Sequence, residues 1–304
     1  MVKARVNDCC MDGYAQTGDF GFPETEARII FADVSDTAIR LQRRHNLDYP
    51  AAAELGRAIA AVAMLGVDFR DQDDTITLCA ETNAPIGGWL AEITGKGALR
   101  GYVYNPGAWV DGYAGHAADR VWTKAKLTRT DKDGDVIGQV SFGADSANMA
   151  DIMSAYYNSA TRVNTCLAFC STTNDGLNLD RVRALGVQYI ENAGHPRLSR
   201  IAPLFGSGVV ARQIENDASA GALCDLFDLQ WISAAPPKAL DLVCTCSQQT
   251  AFESYSSRGK AELAGMVLAG TDREFRCHLC GNVYVVPLEE IEKLARSGNA
   301  EYMP

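Results

Sequence analysis

From Ala51 to Leu65 the apolar residues Leu55, Ile59, Val62 and Leu65 recur near helical spacing, with alanine filling many positions between them. A period near 3.6 predicts a helix, and its alanine-rich faces permit close packing against neighbours. Pro50 stands just ahead, where a missing N–H is harmless and φ is already helical. Upstream, "EARIIFADVSD" collects Ile29, Ile30 and Phe31 into a strand-like run, and "TAIRLQRRH" reads as a short helix. Downstream the period changes to two. "TITLCAE" alternates Ile76 and Leu78 with Thr75 and Thr77, and "GGWLAEIT", "LRGYVYN", "VWTKAKLTRT" and "VIGQVSFG" follow at short intervals. The turn "DKDG" joins the last two as a hairpin. "SANMADIMSAYYNSA" predicts a helix with Met149, Ile152, Met153 and Tyr156 on one side, and "VNTCLAFC" and "ALGVQYIE" read as strands.

Beyond Arg181 the pattern weakens. "NAGHPRLSRIAPLFGSGVV" is rich in Gly, Pro and Ser, and "SAGALCDLFDL" predicts a short helix burying Leu223, Leu226 and Phe227. "SAAPPK" reads as a linker, since paired prolines stop a helix. The expected organisation is an N-terminal α/β core over 1–180, a linker region over 181–240 and a small C-terminal domain over 241–304. The fold class is α+β: a largely antiparallel N-terminal sheet with packed helices, a helical linker and a small zinc-binding domain.

The 304 residues are 47% hydrophobic and 22% charged, the composition of a globular protein. "MVKARVNDCCMDGY" lacks the apolar core of a secretory signal. "AAAELGRAIAAVAMLGV" carries Glu54 and Arg57 and reads as too short to span a bilayer. The expectation is a cytoplasmic protein. There its ten cysteines stay mostly reduced, and close spacings favour metal or redox chemistry. A net charge of −10 opposes phosphate-driven affinity and anionic membrane surfaces, so neither nucleic acid nor membrane is an expected partner.

Four cysteines carry the chemistry. Cys244 and Cys246 form a C-x-C, thirty residues follow, and Cys277 and Cys280 form a C-x-x-C. Zn²⁺ favours four tetrahedral ligands and accepts thiolate sulfur readily. In "CHLCGN", Gly281 can take positive φ while main-chain N–H groups turn towards the sulfurs. His278 lies between two ligands and reads as solvent-facing. Closing a thirty-residue loop costs about 3 kcal/mol plus a constant, whereas structural zinc contributes roughly 10–16 kcal/mol in apparent terms. Folding of so small a segment should therefore depend on the ion. Metal-held thiolates remain reactive if an oxidant reaches them. Four cysteines allow three pairings: the local one leaves the loop untied, and either crosswise one keeps it closed.

These motifs resemble the heat-shock protein 33 family of redox-regulated holdase chaperones. "CTCS" and "CHLCGNVY" match its C-terminal mark. "HNLDYPAAAELGRAIAAVAMLGVDFRDQDDTITLCAETNAPIGGWLAEITGKGALRGYV" and "ANMADIMSAYYNSATRVNTCLAF" resemble its core in order and character, so the likeness covers most of residues 28–170 and 241–296. The resemblance implies one zinc on Cys244, Cys246, Cys277 and Cys280, and an idle reduced state. It implies oxidation to two local disulfides, zinc release, and unfolding of the C-terminal domain and linker. It implies exposed hydrophobic surface that holds unfolding client proteins without ATP, a homodimer when oxidised, and no catalytic residues. Cys9, Cys10, Cys79, Cys166, Cys170 and Cys224 lie outside the family's pattern, and the linker, with "FGSG" and "NDASAG", departs from it.

Two rivals weigh less. A zinc-ribbon nucleic-acid-binding module fits poorly with nine acidic and six basic side chains in 241–304. A zinc hydrolase needs an open ligand position, which four thiolates close. "DKDGDVIGQVSF" begins like a calcium loop, but Val136 stands where Gly is needed and Phe142 where Glu is. "GSG" at 206–208 lacks the strand and Lys of a phosphate loop, and His45, His116 and His195 show no ligand spacing. Tyr102, Tyr104, Trp109 and Tyr113 read as sheet or core packing.

Overall fold

A computed structural model describes residues 13–22, 25–69, 71–106, 122–143, 148–161, 163–189, 200–228 and 230–297. The chain forms two compact units that divide between Val243 and Cys244.

The first unit opens with β1 (Tyr14–Phe22), β2 (Thr25–Asp33), α1 (Ser35–His45) and α2 (Tyr49–Leu65). Then come β3 (Thr75–Thr82), β4 (Gly88–Thr94), β5 (Ala98–Val103), β6 (Trp122–Thr130) and β7 (Val136–Phe142). Next are α3 (Met149–Tyr156), continued by a π turn (Tyr157–Thr161), β8 (Asn164–Thr172) and β9 (Arg181–Tyr189). It ends with α4 (Ile201–Gly206), α5 (Val209–Asn216), α6 (Ala220–Phe227), β10 (Gln230–Ala234), β11 (Lys238–Ala239) and β12 (Asp241–Leu242).

The strands form two sheets where the sequence suggested one. The first runs β10-β1-β2-β9-β8, with β11 also on β1; the second runs β12-β5-β4-β3-β6-β7. Pairing is antiparallel throughout except between β12 and β5. Helix α2 packs against strands of both sheets, which explains its composition. A helix apolar all round is a buried helix, and every residue from Ala51 to Leu65 except Arg57 is buried. At Gly56 an added Cβ would lie 3.0 Å from the Val182 side chain, so the helix approaches β9 closely enough that a larger residue would need Val182 to shift. Asp48 caps the helix by accepting from the Ala51 amide at 3.0 Å, just ahead of Pro50. With the 3₁₀ turn that follows, this helix is longer than the sequence suggested. Tyr49–Asp68 makes 20 residues, long and apolar enough by length and composition alone to cross a membrane, and 83% of its most apolar window is buried within the fold.

The "DKDG" turn is a hairpin between β6 and β7. Asp131 Oδ1 accepts from the amides of Asp133 and Asp135, both at 3.0 Å, so its carboxylate is spent on the turn. The stretch 181–240 holds more regular structure than its patterning suggested. It supplies β9, next to the edge of the first sheet, and three helices that set Ile201, Val210, Ile214, Leu223 and Phe227 over the apolar face formed by Ile29, Phe31, Leu185 and Val187. Leu226 is only partly buried there. Helices of six to eight residues are too short to display a 3.6 period.

The second unit comprises α7 (Gln248–Ser256), α8 (Lys260–Leu268), β13 (Arg273–Arg276), β14 (Val283–Val286) and α9 (Leu288–Ser297). Its buried core is Ala251, Tyr255, Leu263, Val286 and Ile291, a small one for an independent unit.

Candidate metal centre

Two elements of different construction meet at the four thiols. Cys277 and Cys280 sit on the turn between β13 and β14, whose register pairs Arg276 with Val283. The Cys277 amide donates to Asn282 O at 2.8 Å, and the Gly281 amide donates to Cys277 O at 2.9 Å. Gly281 has φ +72°, the left-handed conformation expected of the residue after C-x-x-C. This folds the amides of Leu279 and Cys280 towards Cys277 Sγ and that of Asn282 towards Cys280 Sγ. Cys244 and Cys246 instead lie on a segment outside helix and strand, between β12 and α7. Ser247, directly after them, caps α7 by accepting from the Thr250 amide at 3.2 Å.

The two halves bring the sulfurs together. Cys244 Sγ lies 3.8 Å from Cys277 Sγ, and Cys246 Sγ lies 3.4 Å from Cys280 Sγ. All four sulfurs are within 4.8 Å of one another. A tetrahedron with metal–sulfur bonds of about 2.3 Å has edges of about 3.8 Å, so the donor set fits a thiolate-bound ion. All four are free thiols. Cys277 and Cys280 are buried, and Cys244 and Cys246 half-buried. Burial pushes the Cys277 and Cys280 thiols up, against the pull of the amides that face them. A cation at the centre would reverse that balance, because a coordinating thiol is deprotonated.

One neighbour escaped the sequence reading. Tyr284 Oη stands 3.2 Å from Cys246 Sγ and donates to Cys246 O at 2.9 Å. The contact to Cys246 and burial raise the Tyr284 hydroxyl above its ordinary value, which keeps it a neutral donor. The signal was present in "CGNVY", four residues past Cys280, but only strand pairing shows that the ring turns back to the C-x-C half.

Other candidates fall elsewhere. His278 is exposed. Among the described residues, this is the cluster of cysteine, histidine and carboxylate groups close enough to hold a metal. Cys79, Cys166 and Cys224 are half-buried and Cys170 buried, all outside it. Burial raises the Cys170 thiol to about 11. Tyr102 and Tyr104 pack with ring centroids 5.8 Å apart. Cys9, Cys10, Trp109, Tyr113, His116 and His195 lie outside the described residues.

Comparison with known proteins follows the same lines. The sequence profile of the family described as Hsp33 protein matches residues 16–287. A protein named 33 kDa chaperonin from Deinococcus radiodurans is 28% identical over 280 residues, covering 88% of this chain and 93% of the relative. Another of that name, from Listeria monocytogenes serotype 4a, is 26% identical over 286 residues, covering 88% and 94%. The crystal structure of the Thermotoga maritima 33 kDa chaperonin (Heat shock protein 33 homolog) superposes with a TM-score of 0.77 over 93% of this chain and 98% of that one, at 18% identity. That last likeness concerns the fold.

Proposed function

The chain belongs to the Hsp33 family, and from that premise we propose that it is a redox-regulated, ATP-independent holdase chaperone switched by its four thiols. The observation that carries the reading is the convergence of all four sulfurs within 4.8 Å at the head of a small unit. Cys244, Cys246, Cys277 and Cys280 would hold one Zn²⁺, which supplies cross-linking of the two halves and keeps the sulfurs ionised.

In the reduced state the chain's own residues hold the site shut. The β13–β14 turn presents Cys277 and Cys280 on preset amides, and α7 starts immediately after Cys246. Oxidation to Cys244–Cys246 and Cys277–Cys280 disulfides joins neighbours within each half and leaves nothing between the halves. Zinc then leaves and, under mild heat, the C-terminal region 241–304 unfolds and the helices over 200–228 loosen. The apolar face beneath those helices, with Ile29, Phe31, Leu185 and Val187, attracts exposed apolar surface on unfolding clients without fixed geometry. The oxidised form would dimerise, and the cytoplasm, where thiols rest reduced, is the fitting compartment. Neither nucleic acid nor membrane is a partner in this reading, and no catalytic residue is required.

The test follows zinc release, free thiols and aggregation of a heat-labile client together, as peroxide and mild heat are applied to reduced, zinc-loaded protein. Suppression of aggregation that rises with loss of zinc and four thiols supports the proposal. Equal suppression before and after oxidation defeats the switch.

A further inference from the structure

Helix α2 is buried from Ala51 to Leu65 except at Arg57, and that polar interruption borders a cavity in the first unit. The cavity has a volume of about 480 Å³, within the roughly 300–1,000 Å³ usual for small-molecule sites. Glu54 and Arg57 supply its charged lining, and Met149 on the first turn of α3 and Phe169 on β8 supply apolar walls. Phe205 of α4 and Ala211 of α5 complete it from the helices over 200–228. Phe205 in turn stacks on Phe227 of α6, with ring centroids 5.9 Å apart and the planes within 8°.

Arg57 Nη2 lies 2.8 Å from Glu54 Oε1, and the Glu54 side chain is 5% exposed against 25% for Arg57. Arg57 Nη1 donates to Ser171 Oγ at 2.6 Å. A guanidinium carries five N–H donors, so these two contacts leave three without an acceptor among the described residues. A buried ion pair often adds no stability over apolar side chains of similar volume, so its place in an otherwise apolar helix calls for another use. Charge decides which ligand suits it. The Glu54 carboxylate already neutralises Arg57, so an entering anion would leave a net negative charge in a poorly hydrated space. A cation would meet the more exposed partner, the guanidinium. An uncharged acceptor takes the unspent N–H groups and upsets neither charge, and a hydrogen bond from a charged donor is the stronger kind.

We propose that this cavity binds an uncharged small molecule with an aromatic or branched apolar body and one amide or carbonyl oxygen, the oxygen accepting from Arg57 and the body lying against Met149, Phe169 and Phe205. The walls come from α2, α3 and β8 on the core and from α4 and α5 over it. An occupant that touches both sets favours the arrangement in which they meet, by mass action, and so fastens α4–α6 to the core.

The test uses the full-length reduced protein and hydrocinnamamide as the probe. Methionine-methyl NMR follows Met149, and hydrogen exchange follows α4–α6. The probe should shift the Met149 methyl saturably and slow exchange in α4–α6, with α1, which does not line the cavity, unchanged. Hydrocinnamate, the same body with a carboxylate, and propylbenzene, with no acceptor, should each bind about tenfold more weakly or worse. Arg57→Lys keeps a positive charge beside Glu54 but loses the planar fork, and should weaken the probe by up to about tenfold. Ala150→Phe fills the cavity from the first turn of α3, leaves the ion pair alone, and should abolish the saturable shift. Hydrocinnamate binding as tightly as the amide overturns the uncharged class, and propylbenzene doing so overturns the role of Arg57. No saturable shift, or one that survives Ala150→Phe, overturns the site. Binding that leaves α4–α6 exchange unchanged overturns the fastening. If Arg57→Lys does not fold, the three ligands on the parent and Ala150→Phe decide. Every readout is taken without oxidation, so the site stands or falls apart from the thiol switch.

Discussion

Stripping the metal under reducing conditions should unfold the second unit and spare the first. The perturbation is a high-affinity chelator applied anaerobically, so that no disulfide forms. A zinc ion held as proposed would bridge Cys244 and Cys246 to Cys277 and Cys280 across thirty intervening residues, a closure costing about 3 kcal/mol plus a constant. Against it stands about 10–16 kcal/mol of apparent zinc binding. A whole domain is typically stable by only about 5–15 kcal/mol. The metal therefore matches or exceeds what any unit of this size holds in reserve, and five buried side chains do not replace it. Hydrogen exchange read by mass spectrometry is the assay, because peptides separate the two units. Amides of α7, α8, α9 and the β13–β14 ladder should lose protection on chelation and regain it when zinc returns. Amides of α2, enclosed between two sheets, should not change. Full protection of α7–α9 at negligible bound metal would refute the reasoning, and with it the claim that zinc holds this unit folded.

Gly281→Ala places a Cβ on a residue at φ +72°, costing roughly 1–2 kcal/mol; zinc affinity measured by competition should fall up to about thirtyfold. Zinc affinity should also rise with pH. Burial raises the Cys277 and Cys280 thiols, so they are protonated when metal-free at neutral pH, and each displaced proton multiplies apparent affinity by about ten per pH unit. Titration at pH 6, 7 and 8 checks this, and a flat profile contradicts it. Replacing Cys79 and Cys224 together by serine should leave one zinc per chain by elemental analysis, because neither belongs to the cluster.

The legible parts of this chain were those with a strong local period or a short-range chemical spacing. Helix α2 showed itself through Leu55, Ile59 and Val62, and the β6–β7 hairpin through its Asp-Gly turn. Gly281 was readable because a C-x-x-C turn demands a particular φ. Three things resisted. That α2 separates two sheets follows from strand pairings such as Leu78 with Leu127 and Ile30 with Gly186, which no local pattern encodes. The short helices α4–α6 display too few turns to carry a period. Tyr284 reaches Cys246 only because β14 pairs with β13 and turns its ring back to a residue 38 positions earlier. Contacts made by distant pairing are written in no single window of sequence.

The boundary between the units bears on why oxidation alone should not suffice. Cys244, the first of the four proposed ligands, is also the first residue of the second unit, so loss of a metal held there would release the chain back to Val243. The segment before it is held independently. β12 pairs with β5, β11 with β1, and Leu240 and Leu242 are buried at 2% and 5% exposure. Arg40 pairs with Asp241 and donates to Leu242 O at 3.4 Å, and Lys238 Nζ donates to Gly66 O at 2.9 Å. The half-exposed Arg40–Asp241 pair adds about 1 kcal/mol at most, but the two leucines contribute roughly 1.5–3 kcal/mol each. None of these contacts involves a thiol. Unravelling that starts at the sulfurs must therefore halt at residue 242 until something else weakens apolar burial there. Heat is such an agent, since conformational entropy gains on burial as temperature rises. Under the proposed switch, two stimuli acting on two separate sets of bonds would give a device that answers their coincidence. Leu242→Ala, which loosens only the second set, should lower the temperature at which oxidised protein begins to hold clients and leave the peroxide dependence of zinc release unchanged. A shift in the peroxide dependence instead would show that the two sets are one.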